Sequence, residues 1–231
     1  MTDADQVTIL IADDHPLFRG ALAQAIASRI AGAQVLEAED FGAAQRMLDT
    51  RPGLDLCLLD INMPGMRGFT GLLYMRAQYP DIPVMIVSAI EDEEVIRAAF
   101  DYGAAGYIPK SLSVDEIGSG IRAVLDGESW LPPGIDLSAG EAGESADLAE
   151  RLASLTPQQV RVLMLLSEGK LNKQIAYELS ISEATVKAHV SAILQKLGVN
   201  SRTQAVIIAG RMAVEDKALS AARDSAIHRQ T

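Results

Sequence analysis

"DLCLLDINMPGMRG", residues 55–68, decides the fold. Leu56, Cys57, Leu58 and Leu59 form an apolar run without polar alternation, the pattern of a strand covered on both faces. The run ends on Asp60 and gives way to a Met-Pro-Gly loop. A carboxylate at the tip of a buried strand needs a reason, and the flanking sequence supplies one. On the N-terminal side, "VTILIA" (7–12) is another short β-branched run, halted by Asp13-Asp14. A helical spacing follows it, with Leu17, Ala21, Leu22, Ala25, Ile26 and Ile30 on one face. Residues 33–38 read as a second strand, and Asp40 is placed to cap a helix over 41–50. On the C-terminal side, "GFTGLLYMRAQYP" (68–80) reads as a helix ended before Pro80. Then come a strand over 82–89, a helix over 91–104, a short strand over 106–110 and a helix stopped by Gly127.

Five strands alternating with five helices must run parallel, since each return to the sheet crosses over through a helix. The economical arrangement is a doubly wound α/β sheet. Such sheets bind ligands beyond the carboxyl ends of their strands, where the strand order reverses. Asp13, Asp14, Asp60, Ser88 and Lys110 all stand at such ends. Clustered carboxylates repel, and one would ordinarily take up a proton. A hard divalent ion such as Mg²⁺ removes the conflict, since it accepts one or two carboxylates and bridges to phosphate. A carboxylate beside such an ion can attack phosphorus and form an acyl phosphate. The Ser88 hydroxyl and Lys110 ammonium are suited to phosphoryl oxygens. Taken singly, Asp13 and Asp14 could simply cap the first helix; five such groups at strand ends favour the pocket.

The chain has 231 residues and a net charge of −11. That charge divides as −11 over residues 1–130, −5 over 131–150 and +5 over 151–231. A basic C-terminal part on an acidic chain fits a polyanion partner for that part. No apolar run approaches the roughly 18 residues of a membrane span, and the acidic N-terminus is unlike a secretory signal. The sole cysteine, Cys57, lies in the apolar run and cannot form an internal disulfide. A cytoplasmic location is expected.

Residues 128–153, with Pro132-Pro133, glycines, serines and acids, read as a linker. From Thr156 the pattern is helical. "TPQQ" offers a Thr cap, Pro at the first helical position and Gln three residues on. "NKQIAYELSISEATVKAHVSAILQKLG" fits a helix-turn-helix, and 201–213 reads as a fourth helix. Lys173, Thr185, Lys187, His189, Ser191, Lys196 and Arg202 are left to face outward, where a helix in a major groove would present them to bases and phosphates. A plain helical bundle with a solvated face has the same spacing.

Through "ADDHP", "LLDINMPGMRG", "VSA" and "GYIPKS", residues 7–127 resemble a response-regulator receiver domain. The resemblance implies a flavodoxin-like fold with Asp60 as phosphoacceptor. It implies Asp14 and Asp60 as direct Mg²⁺ ligands, Asp13 as a ligand through water and the Asn62 carbonyl as the last protein ligand. Ser88 and Lys110 would read the phosphoryl group, and Tyr107 would turn inward as Ser88 engages it. Through "LTPQQVRVLMLLSEG", the helix-turn-helix segment and "SRTQA", residues 152–212 resemble a LuxR-type DNA-binding domain. Together these resemble the NarL/FixJ class of two-component response regulators. The resemblance implies Lys187, Ala188 and Ser191 as base readers and a dimerising helix at 201–213. The expected organisation is a receiver (1–127), linker (128–153), all-α four-helix helix-turn-helix domain (154–217) and tail (218–231). The expected function is DNA-binding transcription control. A sensor histidine kinase would phosphorylate Asp60, a homodimer would form when phosphorylated or on DNA, and no enzymatic activity is expected beyond the receiver's own phosphotransfer and dephosphorylation. The alternative is a helical output domain that docks on a protein.

Overall fold

The computed structural model describes residues 6–51, 53–64, 66, 68–136 and 144–211. The expected strands form as β1 (Thr8–Ala12), β2 (Gln34–Ala38), β3 (Leu56–Asp60), β4 (Val84–Ser88) and β5 (Gly106–Pro109). Between and after them lie α1 (Pro16–Arg29), α2 (Phe41–Thr50), α3 (Thr70–Gln78), α4 (Glu93–Asp101) and α5 (Val114–Leu125). Then follow α6 (Glu144–Ala153), α7 (Pro157–Ser167), α8 (Asn172–Glu178), α9 (Glu183–Leu197) and α10 (Arg202–Arg211). Contacts divide the chain into two compact units, residues 1–66 with 79–141 and residues 67–78 with 142–231. The second therefore takes in α3.

The first unit holds one parallel sheet in the order β2-β1-β3-β4-β5. Every residue of β3 and β4 is buried, which explains their solid apolar character. Ile9, Ile11, Leu56, Leu58, Met85, Val87 and Ile108 form one core with Leu22, Ile26, Ile117 and Ile121 of α1 and α5. The order reverses between β1 and β3, whose register pairs Ala12 with Leu59. The next residue on each strand is an acid, so the sheet itself brings Asp13 beside Asp60.

Helix starts follow local chemistry. Asp40 accepts from the Ala43 N–H at 2.6 Å, and Ser113 with Glu116 forms a capping box on α5. Asp13 and Asp14 do not cap α1. Its N-cap is His15, without a side-chain cap bond, and Pro16 opens the helix. The simple capping explanation for those two acids therefore fails.

In the second unit, Thr156 and Gln159 form the capping box read from "TPQQ". Ser182 caps α9 by accepting from the Thr185 N–H at 3.0 Å. Gly198 closes α9 at φ +67°, a conformation an L side chain resists. Ile175, Val186, Ile193 and Leu197 are fully or almost fully buried with Val162, Leu163 and Leu166 of α7. One segment departs from expectation. The end of 128–153, read as linker, is the helix α6, which packs on α9. Leu152 and Ala149 are buried there, and the Arg151 Nη1 donates to the Leu197 carbonyl at 3.3 Å. Tertiary packing, rather than composition, makes this stretch helical. Of the fourth helix read over 201–213, residues 212–213 lie outside the described residues, as does the tail 218–231.

Candidate functional site

Asp13 and Asp60 stand at adjacent strand ends, with side chains 0% and 2% exposed. Two carboxylates this buried need a cation, and β5 delivers one. Lys110 follows Pro109 at the end of β5, and its backbone N–H donates to the Ser88 carbonyl at 2.7 Å. Its Nζ donates to Asp60 Oδ2 at 2.7 Å and lies 2.8 Å from Asp13 Oδ2. The second approach is a charge contact, since no well-directed hydrogen bond reaches that oxygen. The Phe18 ring lies under the ammonium, 5.1 Å from centroid to Nζ.

These contacts set the electrostatics. Burial pushes the Asp60 carboxyl above the usual carboxylate range, although hydrogen bonds from Lys110 and from the Asn62 N–H (3.0 Å) pull the other way. Burial alone would lower Lys110, but its close contacts with Asp13 and Asp60 outweigh it, and the ammonium is held above the ordinary lysine value.

Ser88 is fully buried, and its Oγ accepts from the Ile90 N–H at 3.1 Å. Tyr107 is also fully buried, facing inward with its hydroxyl donating to the Ile90 carbonyl at 2.7 Å. Burial pushes that phenol up to about 12. Ser88 and Tyr107 thus meet at the same residue of the loop after β4.

The carboxylates of Asp13, Asp14 and Asp60 and a nitrogen of His15 all lie within 4.8 Å of one another. The nearest partners of the buried oxygens Asp13 Oδ2 and Asp14 Oδ1 are Lys110 Nζ at 2.8 Å and His15 Nδ1 at 2.6 Å. Three converging carboxylates are hard oxygen donors, so the donor set fits a divalent ion. Sequence reasoning missed two contributors. His15 falls in the "ADDHP" stretch but was given no role of its own, although it directly follows the acids. Arg19 braces the acid loop by donating to the Asp13 carbonyl at 2.8 Å and to Glu37 at 3.0 Å.

In the helix-turn-helix, Lys173, Thr185, Lys187, Ala188 and Ser191 are exposed and His189 is half-buried. Lys196 and Arg202 do not face outward as expected. Lys196 Nζ donates to the Ser154 carbonyl at 2.6 Å and to Gln159 Oε1 at 2.9 Å. Arg202 donates to Asn172 Oδ1 at 3.0 Å and to the Lys170 carbonyl. Both satisfy carbonyls at helix ends, so their long side chains fold back as internal struts.

Residues 9–122 match the model of the response regulator receiver domain, and residues 153–209 that of the bacterial regulatory proteins of the luxR family. The chain is 47% identical over 208 residues to the glycerol metabolism activator of Pseudomonas putida, covering 87% of this chain and 94% of that one. It is 31% identical over 211 residues to the nitrate/nitrite response regulator NarL of Escherichia coli K12, covering 90% and 96%. The solved structure of the RcsB response regulator of Salmonella typhimurium matches in fold with a TM-score of 0.52 at 23% identity, covering 87% and 97%. A receiver sheet followed by a LuxR-type helical domain defines a response regulator, and this chain belongs to that family. Within it, the domain pair is that of the NarL/FixJ class, DNA-binding transcription regulators rather than classical enzymes. Among the described residues no helix is long and apolar enough to cross a membrane.

Proposed function

We propose that the protein is a cytoplasmic regulator whose Asp60 accepts a phosphoryl group from a sensor histidine kinase and thereby controls DNA binding. The observation that carries this reading is the pair of buried carboxylates, Asp13 and Asp60, sharing one ammonium at the switch point of the sheet. An Asp60 oxygen attacks phosphorus, the new O–P bond forms and the N–P bond of the donor phosphohistidine breaks, its electron pair returning to the imidazole. Lys110 moves from the carboxylates to a phosphoryl oxygen, and the Ser88 hydroxyl leaves the Ile90 N–H to donate to another. Asp13, Asp14, Asp60 and the Asn62 carbonyl would hold Mg²⁺, which supplies charge neutralisation of the transferring group. Water later cleaves the acyl phosphate. That self-limited phosphotransfer and dephosphorylation is the only chemistry the pocket needs.

The switch runs through Ser88 and Tyr107, because both bind at Ile90. Drawing Ser88 toward the phosphoryl group releases the Ile90 N–H and biases the loop before α4. The output is duplex DNA bound by a homodimer. Lys187, Ala188 and Ser191 contact bases, Lys173, Thr185 and His189 lie along the phosphates, and Lys196 and Arg202 support the helices from within. We assign receiver function to residues 1–127 and DNA binding to 154–217, with 128–153 joining them and 218–231 as a tail. The test is a gel shift on DNA from upstream of the regulated genes, with and without phosphoramidate and Mg²⁺. Treatment should tighten binding by wild type and leave Asp60→Ala unchanged. Equal binding by Asp60→Ala and treated wild type would overturn the reading.

A further inference from the structure

Asp13 and Asp14 are neighbours in the chain, yet carboxylate oxygens of both lie within 4.8 Å of each other and of one from Asp60. Successive residues of a strand point to opposite faces, so adjacent acids reach one point only where the chain leaves strand geometry between them. It does so here: β1 ends at Ala12 and the chain bends at Asp14. The peptide joining the two acids therefore sets where their carboxylates fall. That region of the backbone is held from outside the cluster. The Asp13 N–H donates to the Ala38 carbonyl of β2 at 3.1 Å. The Asp13 carbonyl accepts from Arg19 Nη1 of α1 at 2.8 Å. The same guanidinium donates through Nε to Glu37 Oε2 of β2 at 3.0 Å, and the Arg19 side chain is only 15% exposed. One planar fork thus fastens the end of β1 to α1 and β2.

We propose that Arg19 is a positioning residue for phosphotransfer: it fixes the Asp13–Asp14 peptide and so presents the two carboxylates together. The inference rests on the reading that the pocket holds Mg²⁺. Arg19 pairs with Glu37, outside the cluster, and reaches Asp13 through its backbone oxygen. A second bond supports the bend, since the His15 N–H donates to Asp13 Oδ1 at 2.8 Å. That bond occupies a carboxylate oxygen, for which an entering ion competes. The Arg19 bond uses only a backbone oxygen and persists when the carboxylates turn to the ion. Glu37 is exposed, so its ion pair adds little stability of its own. Its part is to aim the fork. Charge and position make opposite demands here. A guanidinium repels a nearby dication, so an Arg19 acting through charge alone would weaken Mg²⁺ binding, and its removal would tighten it. An Arg19 that orders the carboxylates strengthens binding, and its removal weakens it.

The test titrates Mg²⁺ into the full-length protein by calorimetry and, in parallel, follows phosphorylation by acetyl phosphate across the same Mg²⁺ range. Arg19→Met keeps the apolar stem and removes both donors and the charge. Its Mg²⁺ dissociation constant should rise by roughly tenfold, the scale on which metal sites answer to a residue supporting a ligand. The half-saturating Mg²⁺ for phosphorylation should rise in step, with the change falling there rather than on the maximal rate. Arg19→Lys keeps the charge and one donor but loses the fork shared with Glu37, so it should show a smaller rise in the same direction; it decides the matter should Arg19→Met fail to fold. Unchanged or tighter Mg²⁺ binding in the variants, or a lower maximal rate with unshifted Mg²⁺ dependence, would overturn the role of Arg19 while leaving the cation site standing. Failure of wild type to bind Mg²⁺ would overturn the site and Arg19 together.

Discussion

Lys110→Met should unbalance the buried acids, and the size of the effect follows from the geometry. One ammonium serves Asp13 and Asp60, whose side chains are 0% and 2% exposed, while its own side chain is 16% exposed. Removing one partner of a buried ion pair costs about 3–5 kcal/mol, and the partial exposure of Lys110 argues for the lower end, about 3 kcal/mol. At about 4 °C per kcal/mol for a unit of this size, the melting temperature should drop by about 12 °C. Trp130, the sole tryptophan, packs beside Gly120 of α5, so its emission follows unfolding of the first unit. The pH dependence has a definite sign. Asp60 carries a raised pKa, so the folded form binds its proton more readily than the unfolded chain. The variant's deficit is therefore full above that raised pKa and shrinks as pH falls through it. Lys110, also raised, stabilises wild type fully below the ordinary lysine value and ceases to do so as pH rises through the folded value. The gap between the proteins should thus narrow at both extremes. Mg²⁺ should stabilise the variant more than wild type, because no ammonium competes for the carboxylates. A variant within about 1 kcal/mol of wild type at neutral pH without divalent ions would refute the claim that these acids are confined together, since that is the scale of an exposed pair.

Other changes probe the remaining structure. In Gly120→Ala a new Cβ would lie 2.7 Å from the Trp130 ring, so the ring must move; stability should fall by about 1–3 kcal/mol with a shift in Trp130 emission. Lys173→Ala should weaken binding to all sequences alike and reduce the salt slope of DNA binding by about one unit. Lys196→Ala should leave that slope alone and lower the melting temperature of the helical unit, because Lys196 is spent on Ser154 and Gln159. Burial holds the Cys57 thiol up at about 12, so a thiol reagent at neutral pH should react only as fast as the first unit unfolds, as measured by absorbance against urea.

The sheet was legible because strand burial writes itself into sequence. β3 and β4 are buried throughout, so their apolar runs had no competing interpretation. The pocket was legible for the same reason, since parallel strands bring their ends to one edge and Asp13, Asp60, Ser88 and Lys110 are all strand-end residues. What escaped depended on side-chain direction. Lys196 and Arg202 occupy positions that look solvated by spacing, yet their flexible stems reach back to helix-end carbonyls. His15 belongs to the pocket because a backbone bond to Asp13 turns it there, which residue spacing does not encode. Helix α6 was masked by glycine, serine and acids around it, and its buried Ala149 and Leu152 gain their meaning only against α9.

The central claim is that the acid cluster exists to make Asp60 a phosphoryl acceptor. Intact-mass analysis after exposure to acetyl phosphate tests it most directly. The account predicts one added phosphoryl group per chain, mapped to Asp60, labile to hydroxylamine as an acyl phosphate is, and absent when divalent ions are chelated. Modification at another residue, or equal modification with chelator present, would contradict it.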